Sequence, residues 1–154
     1  MRTLRDLRWV QFMDNPHATP RPLSKAQQEG LRYEAANARY LQRLFRGNVE
    51  NSRWIHFEDG DQGLGWAQPD HFVLATDKVV IFESKLTQTV QGDVQLKKKY
   101  GPLLEFYFKR PCVLVQVFRN IVEQPEYVFD VSMLAAVKPD PKRVWHWHRI
   151  GAPI

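Results

Sequence analysis

The stretch that decides the fold is residues 69–85, which read PDHFVLATDKVVIFESK. Residues 71–75 and 79–85 are short runs of strand-forming side chains. Thr76, Asp77 and Lys78 lie between them and are typical of a turn, because Asp and Thr side chains make local hydrogen bonds there. The stretch therefore predicts a tight β-hairpin with one strand on each side of the turn.

Charged side chains gather at the open end of this predicted hairpin. Side chains alternate across a strand, so Glu83 and Lys85 emerge on the same face as Val79 and Ile81. Asp70 opens the partner strand at the same end. Two carboxylates and an ammonium group at the rim of an apolar core are unfavourable unless they interact with a partner. A divalent cation such as Mg²⁺ binds oxygen ligands and is the simplest such partner for the carboxylates.

The pattern of these charged residues also resembles a known family. Pro69 and Asp70 are followed, thirteen residues after the Asp, by Glu83 and Lys85 in an E-x-K pattern, which resembles the PD-(D/E)XK nuclease superfamily. That superfamily includes restriction endonucleases, archaeal Holliday-junction resolvases and exonucleases of the RecB and lambda types. The resemblance implies an α/β, restriction-endonuclease-like fold with a central mixed β-sheet flanked by helices. It also implies Mg²⁺- or Mn²⁺-dependent hydrolysis of phosphodiester bonds in DNA, inside a duplex or from its ends.

The residues at the hairpin end have chemistry that matches these implied roles. Asp70 and Glu83 would bind the metal through carboxylate oxygens, with the main-chain carbonyl of Ser84 as a further ligand. Lys85 would orient the attacking water and stabilise negative charge that develops on the phosphate. The alternative for Glu83 and Lys85 is a surface salt bridge, but that alternative leaves Pro69 and Asp70 unexplained.

A long helix is predicted over residues 24–46. Ser24 and Gln27 form a capping box at its start. Three- and four-residue intervals define one face of this helix, which carries Leu31, Glu34, Ala38, Leu41 and Phe45. Glu34 is thus an acid within an apolar stripe. It would pair with a nearby arginine, Arg32 or Arg39, or it would complete the metal site, as an acid on the first core helix does in the resembled superfamily. We favour the metal site.

A second helix is predicted from about Val90, with an interruption at Gly101 and Pro102. In the resembled superfamily, a Gln on the helix after the E-x-K strand points back to the metal site. We assign that role to Gln95, with Gln91 as the second choice.

The basic run that follows this glutamine would contact nucleic acid through Lys97, Lys98, Lys99 and Tyr100. Consecutive lysines cannot all face one groove, so a solvated helix face explains each of them equally well. RecB-type nucleases pair their Gln with a Tyr four residues on. Here Lys99 stands four residues after Gln95, and Tyr100 stands five after it.

The remaining chain predicts further strands and one short helix. Strands are expected at residues 53–57, 112–118, 127–129 and 144–150, a helix at 131–137, and a Gly-rich loop at 58–65. His146 and His148 would share one face of the last strand. That spacing gives weak support for metal binding, because no Cys or acid stands at ligand spacing beside them.

Residues 1–22 are predicted to form a basic N-terminal arm, and residues 23–154 a single nuclease-like domain. Leu4, Leu7 and Val10 would make a short helical stripe. Three prolines make residues 15–22 extended, because each proline moves its predecessor out of the helical region. The arm would grip a phosphate backbone or a partner subunit, or it is a docked or frayed terminus.

Composition limits the class of protein. The chain has 154 residues and a net charge of +5, a basic balance that favours polyanions such as DNA as partners. A single Cys112, within apolar sequence, suggests a buried thiol and a reducing compartment. No apolar run reaches the about 18 residues of a membrane span, and no signal peptide is recognised. We therefore expect a cytoplasmic protein, and a phage origin is compatible with it.

Several functional questions stay open at this point. A homodimer would let a domain of this size cut both strands of a duplex, but no interface is diagnostic. A nucleic-acid-binding module that does not cut, or a small phage or defence interaction protein on the same fold, remains the alternative to a nuclease.

Overall fold

The computed structural model describes residues 1–16 and 22–151. Its helices are α1 (Lys25–Leu44), α2 (Val90–Gln95) and α3 (Gly101–Phe108), with a π-helical turn at Leu96–Tyr100 and a 3₁₀ helix at Val131–Met133. Its strands are β1 (Leu7–Met13), β2 (Val49–Asn51), β3 (Trp54–Asp59), β4 (Gly63–Ala67), β5 (His71–Leu74), β6 (Val79–Thr87), β7 (Cys112–Asn120) and β8 (Val144–His148).

The central sheet has five strands in the order β2-β5-β6-β7-β8. β2, β5 and β6 pair antiparallel, whereas β6, β7 and β8 pair parallel. Residues of α1 pack on one face of this sheet, and residues of the π turn and α3 pack on the other. The predicted α/β fold, with a central mixed sheet flanked by helices, is confirmed.

The predicted hairpin is confirmed as the pair β5 and β6. Its register runs from Leu74 opposite Val79 to His71 opposite Phe82. The turn is closed by the Ala75 amide, which donates to the carbonyl of Lys78 at 3.0 Å. Because the register is fixed, the residue before β5 lies beside the far end of β6.

Strand β6 divides the core into two layers. Val79 and Ile81 pack under the π turn and α3, while Val80 and Phe82 pack under α1. All four side chains are fully buried. The alternation that the sequence predicted for this strand is therefore confirmed.

A second sheet is antiparallel and has the order β1-β3-β4. The helical stripe predicted at Leu4, Leu7 and Val10 is wrong, because residues 7–13 form β1 and pair with β3. Val10 and Phe12, two residues apart, both pack against the core. A spacing of two residues is the period of a strand. The strand predicted at 53–57 belongs to this sheet as β3. The loop predicted at 58–65 is largely the tip and second strand of the β3–β4 hairpin.

The N-terminal residues are thus docked in a sheet at 7–13. The extended linker predicted for residues 15–22 falls mostly on positions outside the described residues. The division of the chain at residue 22 stays a prediction.

Helix α1 confirms the predicted helix and its cap. The Ser24 hydroxyl accepts from the Gln27 amide at 3.2 Å, and the Gln27 side chain accepts from the Ser24 amide at 2.9 Å. The buried face is rotated from the predicted stripe: Tyr33 and Asn37 are each 1% exposed, whereas Leu31 is 49% exposed. Polar side chains that find partners underneath the helix explain the difference, because an apolar pattern does not record them.

Residues 90–108 follow one continuous helical path. The expected interruption at Gly101 and Pro102 is a change of helix type: the Gly101 amide donates to the carbonyl of Leu96, which closes a π turn. Such a turn carries one residue more than an α-helical turn. Pro102 then falls in the first turn of α3, where its missing amide hydrogen breaks no hydrogen bond.

The C-terminal third confirms the strands predicted at 112–118 and 144–150, as β7 and β8. The strand predicted at 127–129 reduces to one bridge between Val128 and His146. The helix predicted at 131–137 reduces to the 3₁₀ helix, which Asp130 caps as expected.

Candidate metal centre

Most of the residues that the sequence singled out meet in one cleft at the C-terminal end of β6. This open cleft of about 420 Å³ lies where α1, the β5–β6 hairpin and the π turn come together. The predicted site residues that line it are Glu34, Asp70, Glu83, Ser84, Lys85, Gln95 and Tyr100.

The hairpin register places Asp70 beside the end of β6. The Ser84 amide donates to Asp70 Oδ2 at 2.8 Å. The amide and the carbonyl of one strand residue point to the same edge, so the Ser84 carbonyl also faces the Asp70 side. Two of the predicted ligand positions are thus held together by the backbone of one hairpin.

Glu34 reaches the same place from α1. Its Oε1 accepts a hydrogen bond from the hydroxyl of Ser52 at 3.3 Å. Burial, and then the negative charge of Asp70, raises the pKa of Glu34 from 4.5 to about 7. The carboxyl that the helix pattern placed in an apolar stripe therefore faces two other carboxyls.

The pKa values of the other two carboxyls are also raised. Burial raises the pKa of Asp70 well above its usual range, and the hydrogen bond and charge of Glu83 raise it further. Burial likewise raises the pKa of Glu83, which is 3% exposed. Lys85 opposes these effects, because its positive charge lowers the pKa of all three carboxyls.

This arrangement fits a divalent cation. Asp70 interacts with both Glu34 and Glu83, and the raised pKa values keep protons on this group of acids. A divalent cation can replace such protons, because it offsets more negative charge at the same place. The buried Oε1 of Gln95 has no hydrogen-bond partner in the described part of the chain. Every donor here is oxygen, which is the preference of Mg²⁺ and Mn²⁺.

The carboxyls would have to separate to surround such an ion. Within residues 1–16 and 22–151, no three His, Cys, Asp or Glu side chains stand in ready metal-binding geometry.

The π turn determines which residues of 95–100 face the cleft. The Tyr100 side chain is hydrogen-bonded to Glu83, a bond that lowers the pKa of Glu83, and Gln95 lines the same cleft. A π turn adds one residue to an α-helical path. It therefore brings a Tyr five residues after the Gln to the same side of the helical path as the Gln.

The three lysines of the basic run do not line the same cleft. Lys97 and Lys98 line a different cleft, bordered by Pro102 and Pro139. Lys99 is half-buried; burial lowers its pKa, and the nearby charge of Glu83 acts in the opposite direction. Of the residues predicted to contact nucleic acid, Tyr100 lines the carboxylate cleft and Lys99 comes within electrostatic reach of it.

Sequence reasoning missed a buried polar layer under Ser84. The Asn37 amide donates to the Ser84 hydroxyl at 2.9 Å, and that hydroxyl lies 2.7 Å from His71 Nε2. His71 Nδ1 lies 2.9 Å from Asn51 Oδ1, a contact that is a hydrogen bond in the Nδ1–H tautomer of the ring. Burial lowers the pKa of His71 to about 3, which keeps it neutral. The sequence signal that could have indicated this layer was Asn37, a polar residue one helical turn after Glu34.

The two histidines of β8 serve separate contacts. His146 Nε2 lies 2.9 Å from Asp93 Oδ1, whereas His148 Nε2 donates to the carbonyl of Arg119 at 2.8 Å. These contacts account for both side chains as parts of the fold.

Comparison with protein-family models, with curated proteins and with solved structures found no match. Among the described residues, every helix is too short or too polar to cross a membrane.

Proposed function

We propose that the protein is a divalent-metal-dependent nuclease that hydrolyses phosphodiester bonds of DNA. The observation that supports this most strongly is the meeting of three carboxyls, Glu34, Asp70 and Glu83, with Lys85 in one open cleft. A salt bridge would need one acid for one lysine, whereas three acids with raised pKa values need a further positive charge before all three can ionise.

We assign each residue of the cleft a separate role in the reaction. Asp70, Glu83 and the Ser84 carbonyl would hold Mg²⁺ or Mn²⁺, and Glu34 and Gln95 would complete its surroundings. The bound ion supplies Lewis acidity, which lowers the pKa of water and offsets charge on the phosphate. Lys85 positions the attacking water and stabilises negative charge that develops on the phosphate oxygens.

The net reaction consumes one water. Its oxygen bonds to phosphorus, one ester bond from phosphorus to a sugar oxygen breaks, and the departing oxygen takes up a proton. The proton that the water loses goes to solvent.

The test is digestion of closed circular DNA and of the same DNA linearised, with Mg²⁺, with Mn²⁺ and with a chelator. We expect metal-dependent cleavage by the wild type. Glu83→Gln and Lys85→Ala should each lower the rate by about a hundredfold or more, because the first removes a charged metal ligand and the second removes a positive charge that faces the reacting phosphate. Glu126→Gln is the matched control, since Glu126 is exposed and outside the cleft.

Cleavage of the circle would identify an endonuclease, and cleavage of the linear form alone an exonuclease. Wild-type rates in both Glu83→Gln and Lys85→Ala would contradict the proposal. DNA binding without any cleavage would leave a non-cutting nucleic-acid-binding module.

A further inference from the structure

A second and larger groove follows the outer side of α1. It has a volume of about 880 Å³, and four arginines line it: Arg39, Arg43, Arg46 and Arg149. None of its described lining residues is acidic. Residues 35–49 contain three of these arginines and no Asp or Glu, so this surface is strongly positive.

The arginines of the groove form no ion pair with any described residue. The ion pairs between described residues involve Arg8, Arg53 and His146, and none of the groove arginines. Burial, and to a smaller extent the charge of Arg43, lowers the pKa of Arg149, which places two like charges near each other. Such crowding is unfavourable without an anion between the groups.

Arg149 is fixed in place before any ligand arrives. Its Nη1 donates to Asn37 Oδ1 at 2.5 Å, and its guanidinium lies 4.2 Å from the ring centre of Tyr40. Its carbonyl accepts from the Tyr33 hydroxyl at 2.6 Å. A guanidinium carries five donors, so most remain for a bidentate contact with a phosphate.

Asn37 connects this groove to the carboxylate cleft. Its amide donates to Ser84, the residue between Glu83 and Lys85, while its oxygen holds Arg149. Glu34 and Arg43 are nine residues apart on α1, about 14 Å along its axis and about half a turn around it, so the groove and the cleft lie on different sides of this helix.

Helix electrostatics alone does not explain this arrangement. Basic residues near a helix C-terminus interact favourably with the helix dipole, but the effect is limited to the last turn. Arg43 lies in that turn. Arg39 lies before it, Arg46 lies beyond the end of the helix, and Arg149 comes from the segment after β8.

We infer that this arginine groove binds the phosphodiester backbone of the DNA that the carboxylate cleft would cut. The inference rests on the proposed nuclease function for the position of the scissile phosphate. It relocates the main DNA contact from the Lys97–Lys99 run to α1 and Arg149.

The test measures binding of labelled duplex DNA as a function of salt, in a Glu83→Gln parent that does not cut. Arg39→Gln with Arg43→Gln should make the dependence of log K on log salt shallower by about 1.5 to 2, because two phosphate contacts are lost. Binding at low salt should weaken at least tenfold. Lys97→Gln with Lys98→Gln removes the same charge elsewhere and should leave the slope unchanged. Arg39→Lys with Arg43→Lys should keep most of the slope, since it keeps the charge.

The results separate this inference from the proposed function. An unchanged slope in the Arg39→Gln, Arg43→Gln protein, or an equal loss in the Lys97, Lys98 control, would overturn the inference. Tighter binding of RNA than of DNA would overturn the choice of DNA. If the groove binds DNA but the wild type never cuts it with metal, the nuclease proposal fails while the groove inference stands. If the wild type cuts DNA and the Arg39→Gln, Arg43→Gln protein binds and cuts it equally well, the groove inference fails while the nuclease proposal stands.

Discussion

Each carboxyl in the candidate site keeps its proton to a higher pH than an exposed Asp or Glu does. For Glu34 the causes are burial first and the charge of Asp70 second. A site that holds protons at neutral pH gives them up when a stronger positive charge arrives. The binding of a divalent cation should therefore release protons and should strengthen as the pH rises.

The raised pKa of Glu34 makes a prediction for stability. Between its unfolded value near 4.5 and its folded value of about 7, the folded chain holds a proton that the unfolded chain has lost. The stability that this proton provides is full below the lower value and is lost as the pH rises through the upper one. Relative to wild type, Glu34→Gln should therefore gain about 1–2 kcal/mol as the pH rises through this window, after allowance for solvent screening.

Urea unfolding in a chelating buffer, at several pH values across that window, measures this difference. His71 contributes with the opposite sign, because its pKa is lowered, but it is present in both proteins and cancels. Parallel stability curves for wild type and Glu34→Gln would show that Glu34 does not share its surroundings with the other acids.

The sequence could identify residues whose partners are local. Asp70, Glu83 and Lys85 lie on one hairpin, so alternation and turn chemistry were enough to place them together. Asn37 meets Ser84 across 47 residues, and Arg149 meets Asn37 across 112. No local pattern records such pairings, which is why the polar layer under Ser84 and the arginine groove emerged only from the structure.

The π turn is the element that local sequence rules did not foresee. Its hydrogen bonds skip one residue more than those of an α-helix, and Gly101 with Pro102 suggested a break. In the structure this turn brings Tyr100 and Gln95 to one cleft. The helix α1, by contrast, was predictable from its capping box, although the apolar pattern misjudged which face is buried.

The contact between Tyr100 and Glu83 makes a prediction for pH dependence. The hydrogen bond from Tyr100 lowers the pKa of Glu83, so Tyr100→Phe should raise that pKa. The acidic limb of metal-dependent cleavage should then move to higher pH by up to about one unit. Tyr107→Phe is the control, because Tyr107 is 44% exposed on the same helical path. An unmoved pH profile in Tyr100→Phe would show that Tyr100 does not act on the pKa of Glu83.

At the scale of the whole molecule, the class of fold followed from the sequence but the division into two sheets did not. β1 pairs with β3 across 41 to 52 residues, from Leu7 opposite Asp59 to Met13 opposite Trp54. The short N-terminal segment fits a helical and a strand period, and the pairing with β3 decides between them. Tertiary context of this kind overrides weak local preference.

Docking of β1 can be tested by one core substitution. Phe12 packs on Phe72, Tyr107 and Phe108. Phe12→Ala should lower the free energy of unfolding by about 2–3 kcal/mol, since a large apolar contact is lost. Gln11→Ala, on the exposed side of the same strand, should change it by less than about 0.5 kcal/mol. Equal stability of the two variants in urea unfolding would mean that this strand is not part of the core.

The most direct test of the central claim is calorimetric titration of Mn²⁺ into metal-free protein, at a pH above the pKa of Glu34. We expect saturable binding by the wild type and at least about tenfold weaker binding by Glu83→Gln, because a ligand oxygen and its charge are lost. The Glu126→Gln control should bind as the wild type does. Absence of binding by the wild type, or equal affinity in Glu83→Gln, would contradict a metal centre formed by Glu34, Asp70 and Glu83.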